Sequence, residues 1–255
     1  MDIRWTQDGS TRVLVPDRVT TPDDLTALHD AVLVALADTD AVVCDLTACQ
    51  VDAPVPELAD ALAGASAEVG DWPGAVLTVV VPQDDVRSSM EGRLLAQPSP
   101  GCGVVVVAAL PGVPADRVSI PPRGVRAARR MLEPVLRAPA LARAFLREIL
   151  AGWPAAYHQD DALVVVDELV ANAVLHAGTE IELRFALQDD RLGIAVADRA
   201  PAQPSVARPG EAAESGRGLL LVDALARSWH VLPRRGGGKV IRAVLVASAA
   251  PAPNH

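Results

Sequence analysis

Along the first half of the chain, short Val-rich runs alternate with stretches whose apolar residues recur every three to four positions. The runs predict strands at Arg12–Val15, Ala41–Leu46, Ala75–Val81 and Gly103–Ala108. The longer stretches predict helices over Pro22–Ala37 and Val55–Val69, with a weaker pattern at Asp84–Leu95. Val-rich strands separated by helices imply an α/β layer with largely parallel pairing, because such strands are buried on both faces. Between Leu110 and Gly124, Pro111, Pro114, Pro121 and Pro122 break any period, so this stretch reads as a linker.

The second half opens with helical patterns at Ala138–Trp153 and Asp160–Ala177. Two alternating strands follow, Glu180–Leu187 and Leu192–Ala197, joined by a hairpin turn at Gln188-Asp-Asp-Arg191. A Pro-rich irregular stretch, Ala200–Ser215, leads to a helix from about Gly218 to Ala226. A strand at Trp229–Leu232, the turn Arg234-Arg-Gly-Gly-Gly238 and a strand at Val240–Ala247 complete the half. Helices, hairpin, loop, helix and hairpin in that order imply a mixed sheet backed by helices. The expected organisation is a domain at 1–118, a linker at 119–136, a second domain at 137–248 and a frayed Ala/Pro tail at 249–255.

Composition narrows the function classes. The chain has 255 residues, half of them hydrophobic and 22% charged, which is a globular balance. A net charge of −9 argues against a nucleic-acid binder that relies on phosphate attraction. Arg123, Arg126, Arg129 and Arg130 do cluster, and read as a solvated linker or helix face. Cys44, Cys49 and Cys102 have no paired spacing, which fits a reducing compartment and gives no metal motif. No leader pattern and no run of membrane-spanning length are present, so the expectation is a soluble cytoplasmic protein.

Candidate chemistry lies in the second half. On the helix Asp161–His176, Glu168, Asn172 and His176 fall on one side at about 100° per residue, with Asp161 near the same line. A carboxylate and an amide four apart can serve one ligand: the amide oxygen suits Mg²⁺, which keeps waters and phosphate oxygens, and Glu168 suits a general base. The competing reading is a solvated helix face, and His176 reads as a residue favoured by the helix C-terminus. Asp198, at the end of a strand, can accept from an exocyclic amine or simply initiate a turn. Gly216-Arg-Gly218 enters a helix, where free backbone N–H groups favour an anion. Two sharper phosphate motifs fail. Gly236-Gly-Gly-Lys239-Val240 lacks the first glycine and the Ser/Thr of a P-loop, and Gly216-Arg-Gly218 does not follow a strand.

The order of these pieces carries a resemblance. Glu168-Leu-Val-Ala-Asn172-Ala on a helix, a strand ending in Asp198, a loop, Gly216-Arg-Gly-Leu219 and a Gly-Gly-Lys hairpin resemble the gyrase/histidine-kinase-like ATPase superfamily, and within it the anti-sigma-factor serine kinases. The resemblance implies a two-layer α/β sandwich binding ATP and Mg²⁺. It gives Glu168 the general base, Asn172 the metal, Asp198 the adenine amino group, and Gly216, Arg217, Gly218 and Leu219 the phosphates. Ala200–Ser215 would be the lid; Leu169, Ala173 and Leu220 would be core. Val240 stands where many relatives have a Thr that supports adenine binding, and the glycines usual after the aspartate are replaced by Ala200-Pro201. The first half has a looser likeness to the sulfate-transporter/anti-sigma-antagonist (STAS) domain, carried by Ala41-Val-Val-Cys-Asp-Leu-Thr-Ala-Cys-Gln-Val-Asp52. Asp52-Ala53-Pro54-Val55 occupies the turn that supplies a phosphoacceptor Ser in that family, and Thr47 is the nearest hydroxyl.

Two functions of different class follow. One is an ATP-dependent serine/threonine kinase acting on a protein partner of the anti-sigma-antagonist or sigma-factor kind in transcription regulation. The other is a nucleotide-sensing regulator with little or no catalysis. Neither requires direct contact with nucleic acid or membrane, and both leave a homodimer open.

Overall fold

The computed structural model describes residues 1–8, 11–96, 103–109, 124–155, 158–200 and 215–246. The chain divides into two units, Met1–Arg123 and Gly124–His255.

The first unit runs β1 (Ile3–Asp8), β2 (Thr11–Pro16), β3 (Arg18–Val19), α1 (Pro22–Asp38), β4 (Ala41–Asp45), β5 (Gln50–Val51), α2 (Val55–Val69), β6 (Val76–Val80), α3 (Asp84–Ala96) and β7 (Gly103–Val107). Its main sheet has the order β1-β2-β4-β6-β7. Only β1 and β2 pair antiparallel; the other three pairings are parallel, as the Val-rich runs imply. Every residue of β4 is buried. The first helix starts where it does because Thr21 caps it: the Asp24 N–H donates to Thr21 Oγ1 at 3.2 Å, and the Thr21 N–H donates back to Asp24 at 3.1 Å. Pro22 then supplies a preset φ. Hydrogen bonds from Thr20 and Thr21 hold the Asp24 carboxyl well below the usual range. The short pair β3–β5 places residues 52–54 between a strand and the start of α2, and that turn carries no hydroxyl.

The second unit runs β8 (Arg126–Leu132), α4 (Ala138–Gly152), α5 (Gln159–His176), β9 (Ile181–Gln188), β10 (Arg191–Asp198), α6 (Ser215–Leu225), β11 (Ser228–Pro233) and β12 (Lys239–Val246). Its sheet has the order β11-β12-β10-β9-β8 and is antiparallel throughout. The three helices and one face of this sheet share a core that includes Leu146, Val165, Leu169, Phe185, Ile194 and Ile241, the two-layer α/β arrangement that was expected. Side chains as large as Leu or Phe contribute roughly 1.5–3 kcal/mol each when fully buried, so this core fixes the face of α5 that meets the sheet.

The stretch 119–136 was read as a linker, yet it contains β8, so the domain reaches back to Gly124. The arginines hid this strand, and each has a place in it. Arg129 Nε lies 3.1 Å from Glu182, Arg130 sits over the Phe145 ring at 5.1 Å, and Arg126 donates to the Gly152 carbonyl at 3.2 Å. Arg123, Cys102, the tail and residues 201–214 of the stretch Ala200–Ser215 expected as a lid lie outside the described residues. No described helix is long and apolar enough to cross a membrane.

Candidate functional site

The buried residues of α5, Ala162, Val165, Val166, Leu169, Val170 and Ala173, repeat at helical spacing and make its core face. Glu168 and Asn172 flank that face, one turn apart, and both are half-buried. Asp161 and His176 are exposed at the two ends of the helix. The four-residue stripe is therefore split. Its middle pair enters the protein and its ends are solvated.

Helix α6 packs against α5, and Glu168 meets it. At Gly218 a Cβ would overlap the Glu168 carboxylate, so the carboxylate lies directly against this glycine. The backbone of Ser215, Gly216 and Arg217 forms the first turn of α6, so the helix begins before Gly218 and not at it. First-turn N–H groups have no acceptor within the helix and sit at the positive end of its dipole. A general-base candidate thus stands beside a donor-rich helix start. Leu219 packs its side chain against the core, so any part it takes in ligand binding is through its backbone N–H. Leu220, expected in the core, is 68% exposed; Val222 fills that place.

The second part of the site lies at the ends of β10 and β12. Asp198, the last residue of β10, is 2% exposed and pairs in register with Lys239. Lys239 Nζ lies 3.1 Å from Asp198 Oδ2 and 3.3 Å from Oδ1. Oδ1 also accepts the Ala200 N–H at 2.9 Å, and Thr179 Oγ1 accepts the Arg199 N–H at 3.0 Å. Gly238 permits this close approach. Its φ is +90°, and a Cβ there would overlap the Asp198 carbonyl and come within 2.8 Å of Arg199 Cα.

Strand alternation settles which side chains face the helices. Leu192, Ile194 and Val196 lie in the core beneath them, so Asp198 points to that side. On β12, Ile241, Ala243 and Leu245 do the same, which puts Lys239 with Asp198 and turns Val240 to the opposite face. The missing Thr hydroxyl at 240 therefore does not bear on Asp198, and the residue that does is Lys239. Sequence reasoning met Lys239 only as a failed P-loop lysine and as part of the Gly-Gly-Lys hairpin, because its significance needs the register with β10. Since α5 also packs on β10 and β12, Glu168 and Asn172 lie on the same helix-covered side of the sheet as Asp198.

A family model described as the histidine kinase-like ATPase domain matches residues 118–245, half of the chain. The chain belongs to the histidine kinase-like ATPase family. The expected ATPase half thus holds, and membership makes ATP the ligand of this domain. The family match begins at residue 118 and so takes in β8, in agreement with the sheet. Among solved structures, the chain is similar to the RsbU and RsbW domains of a Mycobacterium tuberculosis protein. That match is 23% identical and covers 48% of this chain and 32% of that one, with a TM-score of 0.37. It is also similar to the histidine kinase domain of a blue-light-activated histidine kinase from Erythrobacter litoralis. That match is 19% identical and covers 43% and 59% of the two chains, with a TM-score of 0.31. The chain spans less than two thirds of either structure's length, and neither adds to what the family model establishes. No curated protein matches.

The residues of this ATPase domain fit a nucleotide. The missing side chain at Gly218 lets the Glu168 carboxylate lie against α6 beside its first-turn N–H groups, which suit an anion. The Asp198 carboxylate at the end of β10 lies beside the Lys239 ammonium on the inward side and offers acceptor oxygens for a hydrogen bond. Among the described residues no group of three His, Cys, Asp or Glu forms a metal cage.

Proposed function

We propose that the protein is an ATP-dependent serine/threonine kinase that phosphorylates a protein partner of the anti-sigma-antagonist or sigma-factor kind. The observation that carries this reading is the Glu168 carboxylate lying against Gly218 at the head of α6. On this reading Glu168 would be a base next to donors that suit the transferred phosphoryl group. Asn172, one turn along α5, would hold Mg²⁺, which would neutralise charge on the phosphate oxygens. Asp198 would accept from the adenine amino group. Glu168 would take the proton of the partner's hydroxyl as the new O–P bond forms and the bond to the β-phosphate oxygen breaks, releasing ADP. Such transfer needs mainly positioning and charge stabilisation, which these groups supply.

Glu168→Ala tests it. Transfer of the γ-phosphate to a candidate partner should fall by about 10²-fold or more, while ATP binding stays within a few-fold of wild type. Unchanged transfer would remove Glu168 from the chemistry.

A second reading, a nucleotide sensor without catalysis, is favoured by the hydroxyl-free turn at Asp52-Ala53-Pro54. If the first unit is STAS-like, it then docks partners without itself being switched. In that case wild-type protein binds ATP and transfers nothing, and partner binding is indifferent to Glu168→Ala.

A further inference from the structure

At the end of β10 the carboxylate of Asp198 and the ammonium of Lys239 stand side by side, Oδ2 and Nζ 3.1 Å apart. An adenine ring presents the complementary sequence of groups: a 6-amino donor immediately beside the N1 acceptor. We infer that Lys239 is the second base-reading group of the nucleotide site, donating from Nζ to the ring nitrogen next to the amine that Asp198 accepts. This rests on the reading above that Asp198 faces the base.

Three features of the geometry support it. The first is direction: alternation from Ile241, Ala243 and Leu245 turns Lys239 toward the helix-covered side, where Leu192, Ile194 and Val196 direct Asp198 as well. The second is donor capacity. An ammonium has three protons, and two carboxylate oxygens engage two of them at most, so among the described contacts one remains for a ligand. Asp198 keeps capacity too, since Oδ1 accepts Ala200 N–H and Lys239, whereas Oδ2 accepts Lys239 alone among the described contacts. The third is fixation. The side chains are 3% and 15% exposed, and their strands are clamped by Gly238 against the Asp198 carbonyl, so the acceptor–donor edge is formed in advance. Charge neutralisation of a nearly buried carboxylate explains why a cation is present. It does not explain why the cation shares the ligand-facing side and, among the described contacts, keeps a donor beyond the two given to Asp198.

The test is equilibrium binding of ATP and of 1-deaza-ATP, in which N1 is replaced by C–H, to the full chain and to Lys239→Met. Wild type should bind 1-deaza-ATP about 10- to 100-fold more weakly than ATP, the range for a hydrogen bond to a charged donor. Lys239→Met should lose a similar factor for ATP and bind the two nucleotides equally. The wild-type comparison needs no substitution, so it stands even where the variant folds poorly. Equal binding of both nucleotides by wild type would overturn the inference. So would ATP binding by Lys239→Met as tight as wild type or tighter, the sign of a lysine that merely neutralises Asp198 or competes with the base. Wild type that binds neither nucleotide would overturn the parent reading of Asp198, and this one with it.

Discussion

Gly218 and Gly238 both stand where a Cβ would collide, but with different things. At 218 the obstacle is the end of the flexible Glu168 side chain. Because alanine is otherwise better than glycine within a helix by about 1 kcal/mol, Gly218→Ala should leave the urea midpoint unchanged or slightly raised. The same substitution displaces the carboxylate, and phosphotransfer should drop by about 10- to 100-fold. Loss of transfer without loss of stability would mark Gly218 as part of the site, and undisturbed transfer would exclude it. At 238 the obstacle is backbone, and φ is +90°. Gly238→Ala should cost the second unit about 1–3 kcal/mol in urea unfolding, because neither the carbonyl of Asp198 nor the chain after it can swing aside.

At the scale of elements, His158 joins the start of α5 to the β9–β10 turn. It is buried, and its Nε2 donates to the Asp190 carbonyl at 2.9 Å. Burial holds its pKa below the ordinary 6.5. Protonation therefore favours the unfolded chain: the contribution is complete above the unfolded value and is lost as pH falls through 6.5 toward the lower folded value. The urea midpoint of wild type should fall more steeply between about pH 7 and 5.5 than that of His158→Gln; equal slopes would show that His158 is not the titrating group. Elements with a strong apolar period were legible in the sequence. The helical pattern at Val55–Val69 matches α2 residue for residue, and that at Ala138–Trp153 runs one residue past α4. In the two five-stranded sheets, β1 (Ile3–Asp8) and β8 (Arg126–Leu132) were not legible, and both are edge strands; the two-residue strands β3 and β5 are too short to show a period. Edge strands bury less and carry polar side chains as protection, so their alternation is masked. For the candidate site, Glu168, Asn172, Asp198 and Gly218 were singled out by the order of their motifs along the chain. Lys239 could not, because which residue of β12 faces Asp198 depends on a pairing across 41 positions of chain.

At the scale of the molecule, the C-terminal unit is an ATPase domain by family, and the mixed α/β sheet of the N-terminal unit is a candidate partner-docking module. The account depends on the groups of α5, β10 and α6 acting on one nucleotide. If they do, the metal contributed through Asn172 should make ATP binding sensitive to Mg²⁺, and removing the amide should abolish that sensitivity without unfolding the chain. The most direct measurement is titration of the full chain with ATP, with and without Mg²⁺, alongside Asn172→Ala. The account predicts saturable binding that Mg²⁺ strengthens in the wild type and leaves unchanged in the variant. Absence of ATP binding at millimolar concentration, or equal strengthening of both chains by Mg²⁺, would contradict it.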